Sequence, residues 1–211
     1  LMNFFENLTN VQRILVCIFL MGLGLLLRLP GYDGRALWVD ELWRVNLILN
    51  PQFWHRFIYA PDLYTAITAP IYALVNQLIA LVYVSPKAMR LSSLVPGLFA
   101  IALVFYIAIR AGGGLLVAIM AGLIVAVNAD FIEYSNQFKP YTFEVMTHLI
   151  CLAAWVDLLK SPEVNAKKIT LFFVVLGFAL LSCANSIFIF PAIVLTVGLW
   201  VLFSRQSRKK N

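Results

Sequence analysis

The chain has 211 residues, of which 62% are hydrophobic and only 12% are charged, whereas soluble domains carry about 25% charged residues. Because so few polar side chains cannot cover a water-soluble surface, this composition excludes a cytosolic enzyme and a secreted disulfide-rich domain. The net charge of +6 comes mostly from Lys and Arg scattered between apolar runs, a distribution that indicates membrane topology rather than a nucleic-acid partner.

Apolar runs follow one another along the chain, and a membrane-spanning helix needs about 20 mostly apolar residues. The runs cover residues 12–29, 63–84, 91–109, 114–131, 141–159, 169–185 and 188–204. One long polar stretch, residues 30–62, separates the first two runs. The pattern predicts an all-α polytopic integral membrane protein that forms a single module over residues 1–211.

The positions of Lys and Arg predict which runs cross the membrane. If all seven crossed from a cytoplasmic N-terminus, the cytoplasmic loops would hold only Arg13, Lys87, Arg90 and Lys139. If run 63–84 lay on the outer face, those loops would hold Arg13, Arg110, Lys160, Lys167, Lys168, Arg205, Arg208, Lys209 and Lys210. Since basic residues concentrate on the cytoplasmic side, we predict about six crossings in the inner or plasma membrane, with a cytoplasmic N-terminus.

Run 63–84 decides the topology. Its polar residues recur at three- and four-residue spacing and form one stripe on a helix: Thr65, Thr68, Tyr72 and Asn76. Pro70 would also kink a spanning helix. The run is long enough to span, so seven crossings stay open as an alternative. Six crossings create a large outer loop with amphipathic juxtamembrane helices over residues 30–90, and a second outer loop over residues 130–140.

The first outer loop carries two adjacent acids, Asp40 and Glu41, followed by Arg44 one helical turn later. Trp38 and Trp43 flank them and favour a position at the membrane–water boundary. A carboxylate here could act as a general base, and an arginine could bind a phosphate with two hydrogen bonds. A capped interfacial helix with a surface ion pair explains the same residues, and the sequence leaves both interpretations open.

The second outer loop is rich in hydrogen-bonding groups: Glu133, Tyr134, Gln137 and Lys139. A lysine that faces outward against the positive-inside trend is explained by an anionic ligand. One turn beyond this loop, Glu144 and His148 lie four residues apart on one helix face. Ionisable groups at bilayer depth normally face a cavity or a partner, so these two either line a cavity with the loop residues or satisfy each other.

Four segments, in this order, resemble motifs of one enzyme family: Arg28-Leu29-Pro30 leading into Trp38-Val39-Asp40-Glu41, Pro61-Asp62-Leu63-Tyr64, Ser85 to Leu94, and Tyr134-Ser135-Asn136-Gln137-Phe138-Lys139-Pro140-Tyr141. The family is the protein mannosyltransferases and bacterial aminoarabinose transferases, within the GT-C class of membrane glycosyltransferases. Gln137 stands where the family has Glu, so a second carboxylate would come from Glu133 or Asp130. The likeness implies that this chain is an N-terminal portion of such an enzyme.

The resemblance implies transfer of a sugar from a polyprenyl-phosphate carrier to a lipid, glycan or protein acceptor at the outer face. Asp40 would be the general base assisted by Glu41, while Arg44 and Lys139 would neutralise the leaving phosphate. A divalent cation, Mg or Mn, is a further possibility. The alternatives are a non-catalytic member that binds lipid phosphate, and a transporter that uses Glu144 and His148.

Overall fold

A computed structural model describes residues 9–32, 36–59, 69–161, 165–183, 191 and 195–196 of the chain. These residues form nine numbered α-helices and no strand. The helices are α1 (Asn10–Tyr32), α2 (Val39–Leu49), α3 (Phe53–Tyr59), α4 (Pro70–Val82), α5 (Pro86–Ala111), α6 (Gly114–Val127), α7 (Ala129–Ser135), α8 (Tyr141–Leu159) and α9 (Ala166–Ser182).

Local sequence signals explain where the helices begin and end. The side chain of Ser85 accepts a hydrogen bond from the Ala88 N–H at 3.1 Å and caps α5, which begins with Pro86. The same helix ends at Gly112, whose φ of 96° is a left-handed conformation that favours glycine. Run 114–131, predicted as one helix, is divided into α6 and α7 by Asn128, which caps α7.

Three helices, α1, α5 and α8, are long and apolar enough to cross a membrane. The pair α6 and α7 is a fourth candidate if it counts as one span bent by 60°. The prediction of an all-α membrane protein is therefore confirmed within the described residues. Six crossings remain a prediction, because α9 has only 17 residues and run 188–204 lies almost wholly outside the described part.

Helix α5 lies at the centre of the bundle and contacts α1, α4, α6, α7 and α8. Small residues allow its neighbours to approach closely, as is common between membrane helices. A Cβ atom on Gly24 of α1 would lie 2.4 Å from the Ile101 side chain of α5. A Cβ atom on Gly97 of α5 would lie 2.3 Å from Ser135 Oγ. These two glycines set the positions of α1 and α7 against the central helix.

Arg28, which is fully buried in α1, stabilises the bend between α6 and α7. Its guanidinium donates to the Ala126 carbonyl at 3.2 Å and to Ser135 Oγ at 3.1 Å. The last carbonyls of an α-helix lack intrahelical donors and carry a partial negative charge. Because unsatisfied carbonyls are costly at bilayer depth, the arginine makes a helix break tolerable next to the second polar loop.

Helix α4 differs in two respects from the prediction for run 63–84. Pro70 occupies the first position of α4, where a proline does not kink the helix. Tyr72 and Asn76 of the polar stripe are buried against the protein, whereas Leu78 and Leu81 are exposed. Thr65, Thr68 and the motif at residues 61–64 lie outside the described residues. The helix has 13 residues, or about 20 Å, shorter than the hydrocarbon core of about 30 Å.

Candidate active site

The two polar segments predicted as outer loops meet at one end of the bundle. Lys139 Nζ lies 2.9 Å from Asp40 Oδ2, and the Phe138 N–H donates to the Glu41 carboxylate. Seven crossings would have placed residues 40 and 139 on opposite faces of the bilayer. The ion pair instead brings the two side chains together at one end of the bundle, as the prediction of six crossings requires.

Glu41 is the buried member of the acidic pair. Its Oε2 atom lies 3.0 Å from Arg90 Nη2, and both side chains are only 1% exposed. The Trp38 N–H donates to the same oxygen at 2.9 Å, and the Phe138 N–H donates to Oε1. One carboxylate thus connects α2, α5 and the segment that precedes α8.

The electrostatics of Glu41 are decided by these donors. Burial raises the pKa of a carboxyl group, but the Arg90 guanidinium and the two backbone N–H groups outweigh it, so the pKa of Glu41 lies below its ordinary value. The side chain is therefore a buried carboxylate whose oxygens already accept hydrogen bonds. A further backbone contact, from Arg90 Nη2 to the Ala36 carbonyl at 3.1 Å, fixes the chain entering α2.

Asp40, one residue earlier on α2, faces solvent and is 56% exposed. The Lys139 ammonium holds the pKa of this carboxyl below its usual range, and Asp40 in turn raises the pKa of Lys139. The ring of Tyr141 lies 5.9 Å from Lys139 Nζ, a cation–π distance. Ser93 Oγ donates to the Lys139 carbonyl at 2.7 Å, so the backbone that carries the ammonium is fixed to α5.

These groups border an open cleft of about 410 Å³, here named the Asp40 cleft, which is lined by Trp38, Asp40, Glu41, Glu133, Tyr134, Gln137 and Lys139. Within it, Gln137 Nε2 donates to Glu133 Oε1 at 3.0 Å. The Gln137 Oε1 atom is buried and accepts no hydrogen bond. The cleft thus combines an exposed carboxylate, a cation and an acceptor without a donor.

Three of the predicted site residues lie elsewhere. Arg44 lies on α2 and does not line the Asp40 cleft. Glu144 and His148 are half-buried on α8, and neither lines the Asp40 cleft. The other six predicted residues line the Asp40 cleft together. Because Arg44 lies outside the cleft, the geometry gives no support for its predicted role in binding phosphate.

Arg90 and Trp38 were not among the predicted site residues, and neither was Arg28, which donates to Ser135 Oγ at the end of α7. The signal for both arginines was present, because an ionisable residue in or beside an apolar run normally has a buried partner. No sequence signal distinguished Trp38 from Trp43. The difference arises because Trp38 precedes α2 and lines the cleft, whereas Trp43 lies within the helix.

The described residues do not fit the divalent cation that paired acids can hold. Among them, no three His, Cys, Asp or Glu side chains form a cluster suited to a metal ion. Asp40 is paired with Lys139, and the oxygens of Glu41 accept from Arg90 and from backbone N–H groups. The chemistry of this cleft is therefore derived from its side chains alone.

Comparisons of the chain with protein-family models, with curated proteins and with solved structures find no match. The resemblance to polyprenyl-phosphate-dependent glycosyltransferases therefore rests on the four sequence segments alone.

Proposed function

We propose that the protein transfers a sugar from a polyprenyl-phosphate carrier to a hydroxyl group of a lipid, glycan or protein acceptor at the outer face of the membrane. The observation that carries this proposal is the ion pair between Asp40 and Lys139 at the mouth of an open cleft. The proposed reaction needs a carboxylate to accept the proton of the acceptor hydroxyl and a cation to neutralise the leaving phosphate. Both groups are present at this site.

The two partners of the pair have complementary roles. The donor phosphate displaces Asp40 from Lys139, and the ammonium then stabilises the negative charge that builds on the leaving phosphate oxygen. The released Asp40 carboxylate, no longer beside a cation, becomes a stronger base. It takes the acceptor hydroxyl proton as the acceptor oxygen bonds to the anomeric carbon and the bond from that carbon to the phosphate oxygen breaks. Direct displacement inverts the anomeric centre.

Glu41 has a positioning role in this proposal. Its oxygens accept hydrogen bonds from Arg90, Trp38 and Phe138, so it fixes the direction of α2 and the backbone next to Lys139. Glu133 and Gln137 supply acceptors for sugar hydroxyl groups. Arg44 is assigned no contact with the substrate.

Basic side chains at the opposite end of the bundle support an outward-facing cleft. Arg110 pairs with Asp157 at 2.6 Å, and Lys168 donates to Ser161 Oγ. Lys160 lies beside Gly112, because its Nζ atom would be 4.0 Å from a Cβ atom added to that glycine. These residues lie where α5 and α8 end and α9 begins. By the positive-inside rule that end is cytoplasmic, which agrees with the proposed six crossings and cytoplasmic N-terminus.

Transport is a second candidate function, favoured by the 60° bend between α6 and α7. Transporters bind their substrates at broken membrane helices. Glu144 and His148 would be the substrate or proton site, although neither lines the Asp40 cleft. A transporter would keep its flux after Asp40 is neutralised, and this separates the two functions.

The test is Asp40→Asn in the full chain, with transfer measured in membranes supplied with radiolabelled polyprenyl-phosphate sugars. Loss of the general base should lower the rate by about 100-fold or more. Arg44→Gln, on the same helix but outside the cleft, is the matched control and should retain a rate within a few-fold of the unmodified chain. Transfer that survives Asp40→Asn, or that never exceeds the level in membranes lacking the protein, contradicts the proposal.

A further inference from the structure

A second cleft lies between α1 and α7 and shares Glu133 with the Asp40 cleft. Its volume is about 340 Å³, and it is lined by Leu27, Gly31, Ala129, Ile132, Glu133 and Asn136. We name it the Asn136 cleft. A carboxylate that borders two clefts is placed where groups held in one can meet groups held in the other.

Asn136 lines this cleft with a buried side chain. The residue is 4% exposed, and its Oδ1 atom receives no hydrogen bond. Leaving a buried acceptor without a donor is unfavourable, so a ligand group that donates a hydrogen bond would satisfy this atom. The side-chain amide lies against α1, where a Cβ atom on Gly31 would be 2.5 Å from Asn136 Nδ2. Gly31 therefore allows the asparagine to adopt its position.

The charge and shape of the lining define the ligand class. The described lining contains one carboxylate, Glu133, and no cation, which disfavours a phosphate and favours hydrogen-bond donors. Leu27, Ala129 and Ile132 supply apolar surface beside the two acceptors. A sugar ring has the matching chemistry, because hydroxyl groups lie along its edge and C–H groups cover its faces.

We propose that the Asn136 cleft is a second binding subsite, for an uncharged, hydroxyl-bearing sugar ring, with Asn136 Oδ1 and Glu133 as its acceptors. This inference rests on the proposed sugar transfer and deepens it. The phosphate of the donor belongs to the Asp40 cleft, which contains Lys139, and a sugar ring belongs to the neighbouring cleft, which contains no cation among its described residues.

The experiment measures sugar binding directly, without turnover. The full chain in nanodiscs is titrated with methyl α-D-mannopyranoside, methyl β-D-glucopyranoside and methyl β-L-arabinopyranoside, and binding is followed by saturation-transfer NMR. Asn136→Leu removes the acceptor at similar size, and Gly31→Ala displaces the asparagine amide. Each should weaken binding of the best probe about tenfold. Gly22→Ala, on α1 with nothing within 4 Å of the added Cβ, is the matched control and should bind like the unmodified chain.

The outcomes separate this subsite from the proposed function. If no probe binds, or if Asn136→Leu and Gly31→Ala bind as well as Gly22→Ala does, the subsite is refuted and Asn136 Oδ1 holds only water. If Asn136→Leu weakens sugar binding while Asp40→Asn leaves transfer intact, the subsite stands and the proposed catalysis fails. A thermal unfolding midpoint close to that of the unmodified chain is required of each variant before its binding is interpreted.

Discussion

Two ion pairs formed by neighbouring residues of α2 lie in opposite environments. Glu41 and Arg90 are each 1% exposed at the junction of three segments, whereas Asp40 and Lys139 are 56% and 23% exposed at a cleft. Successive residues of an α-helix are about 100° apart around its axis, so adjacent carboxylates can serve different purposes. The buried pair connects elements of the fold, and the open pair is accessible to solvent.

The largest expected effect comes from breaking the buried pair. Arg90→Met should lower the free energy of unfolding by about 3–5 kcal/mol, because it leaves the Glu41 carboxylate buried without its cation. Thermal unfolding can be followed with a thiol-reactive dye, since Cys151 and Cys183 are buried in the folded protein. Replacing both partners, Glu41→Gln with Arg90→Met, should recover part of the loss because no buried charge then remains. An Arg90→Met protein as stable as the unmodified one would remove the distinction between the two pairs.

The open pair should respond in activity and pH dependence more than in stability. Lys139→Met should change the free energy of unfolding by no more than about 1 kcal/mol, and lower the transfer rate by about 100-fold. Lys139 lowers the pKa of Asp40, so its removal raises that pKa. The carboxylate is then lost at a higher pH as the solution is acidified, and the acidic limb of the kcat/KM profile should move upward in pH. A limb that stays in place would show that Asp40 is not the base.

The smallest effect is expected at the opposite end of the bundle. Arg110 and Asp157 form a pair that is 42% and 40% exposed, and such pairs contribute between zero and about 1 kcal/mol. Arg110→Met should therefore leave the unfolding midpoint close to that of the unmodified chain, and this variant is the matched control for Arg90→Met. A loss at Arg110 as large as that at Arg90 would indicate that burial is not the cause of the difference.

Much of the fold was predictable because apolar runs set helix positions. Run 141–159 coincides with α8 and run 91–109 lies within α5, since a helix in a membrane must satisfy its own backbone. The bend at Asn128 was not predicted, because it depends on Arg28, a hundred residues earlier, which donates to the carbonyls of Val125 and Ala126 in the last turn of α6. Composition and hydropathy contain no information about that contact.

The candidate site was predictable in its residues but not in their roles. Asp40, Glu133, Gln137 and Lys139 were selected from polar clusters, and they share one cleft. Arg44 was selected because it lies one helical turn beyond Glu41, but spacing does not reveal which helix face meets another element. Asn136 was not selected, because the sequence does not distinguish it from any other amide in a polar loop. Only the structure shows that its side chain is buried and that its Oδ1 atom accepts no hydrogen bond.

Hydrophobic composition and the order of apolar runs were enough to assign the protein to the membrane and to an all-helical class, and to identify the two polar segments that border the Asp40 cleft. These properties depend on interactions between near neighbours in the chain. Which carboxylate is buried and which is open depended on tertiary contacts instead. Glu41 meets Arg90 across 49 residues and Phe138 across 97, and only packing of the helices brings those groups within hydrogen-bonding distance.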